Sequence, residues 1–128
     1  MHRSKLCSIL IDCSPATFEA GVTFWSGALG LKAQPEHQVN SADPYVVLEG
    51  GVNDLTFMLQ KVNDTSRIHL DIETDDKEAE VRRLEVLGAT RVANIEGWVV
   101  MRDPADHLFC VVSAFSDDFA QKAHVWND

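Results

Sequence analysis

Positive charge is scarce: 11 Lys and Arg stand against 20 Asp and Glu, a formal net charge of −9 over 128 residues. No basic run offsets this balance, so the molecule repels phosphate backbones and anionic lipid, and nucleic acid is not an expected partner. Long apolar runs are missing as well. The N-terminal stretch MHRSKLCSILIDC starts basic, but its apolar run from Leu6 to Ile11 stops at Asp12, too short for the apolar region of a secretory signal. No stretch approaches the ~20 apolar residues of a membrane span, so no membrane association is expected. Cysteine is rare, with three in the chain. Cys7 and Cys13 fall in one expected strand, where six residues at ~3.3 Å each set them ~20 Å apart, beyond disulfide reach. Cys110 can pair with only one of them, which leaves an odd thiol; reduced cysteines and a cytoplasmic location are the expectation.

What remains suffices for one core. With 45% apolar and 24% charged residues the composition is that of an ordinary globular chain. A chain of this length buries about two-thirds of its unfolded surface.

Along the chain, Ser8 to Cys13 (SILIDC) is a short apolar run with β-branched residues, closed by Ser14-Pro15, and reads as a strand. From Thr17 the apolar residues Phe18, Val22, Trp25 and Leu29 recur at helical spacing, which places Trp25, and with it Phe24, in the core. Gly30 supplies a left-handed stop, with Leu31 folding back as in a Schellman ending. Gln34 to Pro44 is a polar loop. Tyr45 to Leu48 and Leu55 to Val62 flank EGGVND as a hairpin whose turn reads as longer than two residues. From Ile68 the order restarts: IHLDIET alternates strictly, Thr74-Asp75-Asp76 offers N-cap chemistry, Ala79 to Leu87 is helical, and Gly88 stops it. Trp98 to Met101 and Leu108 to Val112 then form a second hairpin around a turn-rich RDPADH. Additional short strands are expected near Leu31 to Ala33 and Thr90 to Ala93.

The strand, helix, hairpin order therefore occurs twice, with Ile9 and Leu70 61 residues apart and Gly30 and Gly88 58 apart. The expected fold class is α+β: two βαβββ modules in one chain, forming a paired, concave mixed sheet with the helices on its outer face. The groove enclosed by the non-helical faces is the expected cavity.

Four segments, ILIDCSP, TFWSGALGLK, RIHLDIETDDKEAEVRRLEVLGATRV and GWVVMRDPADHLFCVV, make the chain resemble the vicinal oxygen chelate superfamily, in particular the small glyoxalase-like domains related to glyoxalase, bleomycin resistance proteins and dioxygenases. The resemblance implies one glyoxalase-like domain over residues 1–128, with module one at about 5–62, module two at about 67–114 and a C-terminal tail at 115–128. It implies binding of a small organic ligand, often with a divalent metal, and often a homodimer. By position the metal ligands of relatives fall on Ser8, Gln60 (Met58 if the register slips), His69 and Cys110. Of these, only His69 is a ligand type usual at its place. Relatives also often carry Gly-Asn where this chain has Asp106-His107.

Strand alternation sets His69, Asp71 and Glu73 on one face of IHLDIET and Ile68, Leu70 and Ile72 on the other, which must meet the helices. His69 then looks into the cavity, with Asp71 as the carboxylate that orients it, while Asp71 and Glu73 otherwise read as ordinary solvent-side residues. Zinc-like chemistry needs three or four His, Cys or carboxylate donors. This chain offers His69 and Cys110, with Asp71 or Gln60 as the further candidate, so no complete metal site is expected; a divalent metal, if bound, would use His69, Cys110 and Gln60. Cys110 otherwise reads as a small apolar wall residue. Met58, Trp98 and Phe57 are expected as apolar walls, Gln60 as a hydrogen-bonding one, and Ser8 as a further lining residue. The glycines form no phosphate loop. The acidic run Glu73 to Glu80 reads as a helix N-terminus and a solvated face, His37 and His107 as exposed loop residues, and the tail as a short helix, a subunit contact or a frayed end.

The function expected from these readings is small-molecule binding in the cavity without a complete metal site. One alternative is a metal-dependent lyase, isomerase or dioxygenase using His69, with Asp71, as catalytic group. A second is a drug-sequestering resistance protein without catalysis, for which the negative charge suits cationic compounds. A third is an interaction domain whose groove is filled by its own side chains.

Overall fold

The computed structural model describes residues 1–39, 41–63 and 65–127, with the backbone alone of residue 52. It contains nine strands and three helices among the described residues. Contacts divide the chain into two compact units, residues 8–69 and residues 1–7 with 70–128.

In the first of these units the C-terminal half of β1 (His2–Cys13) leads into α1 (Phe18–Leu29), β2 (Lys32–Ala33), β3 (Tyr45–Val52) and β4 (Leu55–Lys61). The strands lie in the order β2-β3-β4-β1, antiparallel except for the parallel β1–β4 pair. The second unit repeats the plan with β5 (Arg67–Thr74), α2 (Lys77–Val86), β6 (Thr90–Ile95), β7 (Trp98–Arg102) and β8 (Leu108–Ser113), ordered β6-β7-β8-β5 with β5–β8 parallel. Two βαβββ modules of one topology are thus present, as the repeated sequence order predicts. The tail adds α3 (Phe119–Lys122) and β9 (His124–Trp126), which pairs antiparallel with the start of β1, His2 opposite Trp126.

Each module buries one sheet face under its helix. Cys13, Phe18, Val22, Val46, Leu48, Phe57 and Leu59 form the first core, with Ile9 and Ile11 packed against it. Val81, Leu84, Val99, Met101 and Val111 form the second, with Ile72 and Phe109 packed against it. Gly30 ends α1 at φ 68°, and Ser26 O accepts from Leu31 N at 3.1 Å, the expected Schellman geometry. Asp76 caps α2, its Oδ1 accepting from Ala79 N at 3.0 Å.

Several local expectations are corrected. The first hairpin turns on two residues: Val52 pairs with Leu55, and Asn53 and Asp54 both have positive φ, 49° and 68°, the geometry of a type I′ turn. Gly50 and Gly51 lie inside β3, where the register shifts, so the glycine pair makes a bulge and not the turn. Phe24 is 62% exposed, and Trp25 is half-buried with its ring 6.2 Å from Phe57. The α1 stripe therefore narrows to Phe18 and Val22. On β5 only Ile72 of the apolar face packs against a helix-covered core; Ile68 and Leu70 are exposed. His37 is not a solvent residue: its Nε2 lies 2.8 Å from Glu19 Oε1, and its ring meets Phe18 edge-on.

The acidic run is not a solvated face either. Glu73 is fully buried, accepts from the backbone N–H groups of Phe115 and Ser116 at 3.0 Å each and from the Ser116 hydroxyl, and so pins the start of the tail. Glu80 is fully buried beneath the start of β1. Its carboxylate meets His2 Nε2 at 2.6 Å, accepts from Ser4 Oγ at 2.9 Å, and accepts from Arg83 Nε and Nη2 at 3.0 and 2.7 Å. Trp126 Nε1 donates to Ser4 Oγ at 2.8 Å, and the Arg83 guanidinium stacks 3.8 Å above the Trp126 ring. Burial pushes the Glu80 carboxyl up, but its hydrogen bonds from Arg83, His2 and Ser4 outweigh that and hold it below the usual glutamate range.

Candidate functional site

With Ile9, Ile11 and Cys13 turned to the α1 core, alternation sets Ser8, Leu10 and Asp12 on the opposite face of β1. The same argument on β4 sends Phe57 and Leu59 to the core and Thr56, Met58 and Gln60 to the non-helical face. Strand register then builds two transverse rows on that face. One is polar: Asp12 lies opposite Gln60, and Gln60 opposite Tyr45. The other is apolar: Leu10 lies opposite Met58, and Met58 opposite Val47. The rows are two residues apart on each strand, ~6.6 Å.

His69 joins the polar row. Its Nδ1 stands 2.8 Å from Asp12 Oδ2, with the imidazole 10% and the carboxylate 7% exposed. The carboxylate at hydrogen-bond distance from His69 is thus Asp12, within the same compact unit. Gln60 Nε2 donates to the Tyr45 hydroxyl at 3.3 Å. The second Asp12 oxygen, Oδ1, is buried and has no hydrogen-bond partner among the described residues. Asp12 also acts on its chain neighbour: burial first, and the Asp12 charge second, push the Cys13 thiol up, so Cys13 is an inert core thiol.

In the other module, Ile72, Phe109, Val111, Val99 and Met101 turn to the α2 core, so Asp71, Cys110 and Trp98 share the non-helical face. Asp71 lies opposite Cys110 on β8, and Trp98 opposite Val112. Cys110 and Trp98 are half-buried. The Asp71 backbone carbonyl accepts a long contact from the Cys7 thiol at 3.4 Å.

The sequence-expected residues therefore divide as follows. Gln60 and Met58 lie on the face that carries His69, in consecutive rows. Asp71, Cys110 and Trp98 share a face in the second module. Ser8 shares its face of β1 with Asp12 and is 1% exposed, but lies four residues from it, ~13 Å along the strand. Asp12 and Tyr45 are additions. The signal for Asp12 is the lone carboxylate that interrupts the apolar ILIDC run.

As metal positions, Ser8 and Gln60 do not fit: one is a buried neutral hydroxyl, the other a neutral amide, and neither is a His, Cys or carboxylate donor. His69, Asp71 and Cys110 are of ligand type. The His69–Asp12 contact has the form in which a carboxylate holds one ring nitrogen of an imidazole.

The fold is thus of the α+β class, with two βαβββ modules of one topology. Within that class, residues 8–112 match the family model described as glyoxalase-like domain, and the chain belongs to that family. A hypothetical protein from Bacillus halodurans C-125 is similar in structure, with a TM-score of 0.58 and 14% identity over 89% of this chain and 96% of that one. A glyoxalase/bleomycin resistance protein/dioxygenase superfamily member from Vibrio splendidus 12B01 has a TM-score of 0.54 and 13% identity over 87% of this chain and all of that one (100%). At such identities the likeness is one of fold. No curated protein matches the sequence at significant similarity. No helix among the described residues is long and apolar enough to cross a membrane.

Proposed function

We propose that the protein binds a small, partly apolar organic molecule on the non-helical face that carries His69, and does so without the complete metal set of the superfamily's metal-dependent members. The Asp12–His69 pair carries this reading. A carboxylate and an imidazole nine-tenths buried beside Leu10 and Met58 cost desolvation that a purely structural sheet face avoids with apolar residues. Such a combination of an apolar platform with a few fixed polar groups is the usual composition of a small-molecule site. If the bound molecule reacts, His69 is its acid or base and Gln60 a hydrogen-bonding wall. Trp98, Cys110 and Asp71 line the corresponding face of the second module, and Ser8 the far end of β1.

The test is a fragment screen followed by NMR. Binders are expected to shift the Met58 methyl and His69 ring signals, and to lose at least about tenfold in affinity, about 1.4 kcal/mol, in His69→Ala. Binders that map to other surfaces, or that hold His69→Ala equally well, defeat the reading. If the ligand is cationic and captured electrostatically by the negative chain, as in the drug-sequestering alternative, affinity falls steeply with ionic strength; an apolar ligand shows little change.

The in-register Asp71–Cys110 pair, a carboxylate beside a thiol, favours a second reading as a metal-dependent lyase, isomerase or dioxygenase. The cytoplasmic placement is part of the proposal and is supported by three cysteines that form no disulfide. The homodimer is supported by the exposed strand residues Ile68 and Leu70.

A further inference from the structure

We propose that the groove between α2 and the C-terminal strand β9 is a binding site for a small organic anion, a carboxylate on an aryl or branched-alkyl body. Arg82 receives the carboxylate, and Val86, Leu87 and Trp126 receive the body. The groove lies wholly within the unit of residues 1–7 and 70–128 and does not depend on the reading of the His69 face.

The groove has a volume of about 380 Å³, the size of a small-molecule pocket, and its walls include Ala79, Arg82, Arg83, Val86 and Leu87 of α2 and Trp126 of β9. Three observations say what fits it. First, the α2 residues recur at spacings of three and four and so form one helix face, while the core is packed by a different one, Val81 and Leu84. Val86 is 88% and Leu87 66% exposed. Two large apolar side chains thus spend most of their surface on water, and an apolar body laid against them would recover it.

Second, two of the walls are fixed before any ligand arrives. Arg83 gives its Nε and Nη2 hydrogens to the buried Glu80 carboxylate, and its guanidinium lies 3.8 Å over the Trp126 ring. The Trp126 indole N–H is in turn held by Ser4 Oγ. A ligand therefore has few side chains to order.

Third, the charge of the described lining is of one sign: two guanidiniums and no carboxylate. Glu80 answers the charge of Arg83, which leaves that of Arg82, an exposed residue. The acids on the helix turns before and after Arg82, Glu78 and Glu85, stand outside the lining, and the Glu78 carboxylate accepts from Arg91 Nη2 at 3.0 Å. On a chain of net charge −9, a concave cationic patch of this kind admits an anion and repels a cation. The same charges set the ligand's direction. The last-turn carbonyls of α2 repel an anion, so the carboxylate belongs at Arg82 and the body on Val86, one turn on and ~6 Å along the axis.

The experiment uses the full chain and two probes of one skeleton, phenylacetate and phenethyl alcohol. Each is titrated while NMR follows the Trp126 indole N–H and the Val86 and Leu87 methyl signals. Phenylacetate is expected to shift all three and to bind about three- to tenfold more tightly than the alcohol at low salt, an advantage that shrinks as ionic strength rises. Arg82→Gln is expected to bring the acid down to the level of the alcohol, and Val86→Asp to remove its binding. The wild-type comparison of the two probes decides the question even if a variant folds poorly.

Equal affinity for acid and alcohol overturns the proposal, as does an acid affinity unchanged in a folded Arg82→Gln protein. Shifts at the Met58 methyl with the Trp126 signal silent place the acid on the other face and overturn this site while supporting that one. A wild-type dimer that Val86→Asp turns into a monomer in analytical ultracentrifugation means that a second copy covers the groove, and overturns the proposal as well.

Discussion

Glu80 shows how one buried carboxylate ties three segments together. It receives hydrogen bonds from Arg83 on its own helix and from His2 and Ser4 at the start of β1, and Ser4 in turn receives the Trp126 indole N–H from β9. Because the folded-state pKa of Glu80 is lowered, the folded chain binds this proton less readily than the unfolded chain does. The stabilisation is therefore complete above the ordinary glutamate value of about 4.3 and is lost as pH falls through that value toward the lowered one. Glu80→Gln is expected to cost about 3 kcal/mol at neutral pH, because it leaves the Arg83 guanidinium without its counter-charge inside a buried hydrogen-bond cluster. The gap between wild type and variant should narrow as pH is taken from about 5 to 3, which urea melts at several pH values would check. A gap that stays constant across that range would mean that the carboxylate's charge contributes nothing.

At the scale of the element, the β3–β4 hairpin depends on backbone that only certain residues tolerate. Gly51 has φ +57°, and a Cβ built on it would stand 2.3 Å from the Leu55 carbonyl oxygen, a contact with backbone that no rotamer change relieves. Gly51→Ala is thus expected to destabilise the chain by about 1–3 kcal/mol. Gly97→Ala makes the control: its φ of +96° is also positive, but nothing lies within 4 Å of the added Cβ. Thermal melts of the two variants should rank Gly51→Ala as clearly the more damaging, and the opposite ranking would reject the bulge as the tight point. The hairpin matters for the site because β3 and β4 supply Tyr45, Val47, Met58 and Gln60 to its two rows. A register slip by one residue would exchange these for the core residues Val46, Leu48, Phe57 and Leu59.

For the whole molecule, stability rests on two apolar cores, one per module, and none of the three cysteines is in a disulfide. Dialysis against EDTA, or addition of a reductant, should therefore leave the melting temperature nearly unchanged, when a loss of 1 kcal/mol would move it by about 3–5 °C. Metal analysis of protein purified without a chelating tag is expected to give well below one ion per chain. Stoichiometric metal that disappears in His69→Ala would put the metal-dependent enzyme first among the functional readings.

The repeat of strand, helix and hairpin was legible in the chain because alternation at period two, helical spacing and Gly stops are local and survive any packing. They located the two modules and the short β2 and β6. The local code misled where one cue serves two conformations: Gly50-Gly51 reads as a turn but forms a bulge, and the turn falls on Asn53 and Asp54. It also misled where burial depends on a distant partner. Glu73 and Glu80 look like surface charge until the tail and the start of β1 arrive to solvate them, and Phe24 looks like core until α1 turns it outward. The pairing of Asp12 with His69 belongs to the same kind. Fifty-seven residues separate them in the chain, and only tertiary packing brings the carboxylate within 2.8 Å of the imidazole. Periodicity, being local, was written in the residues; the identity of each buried charge's partner was not, because that is a property of which segments meet.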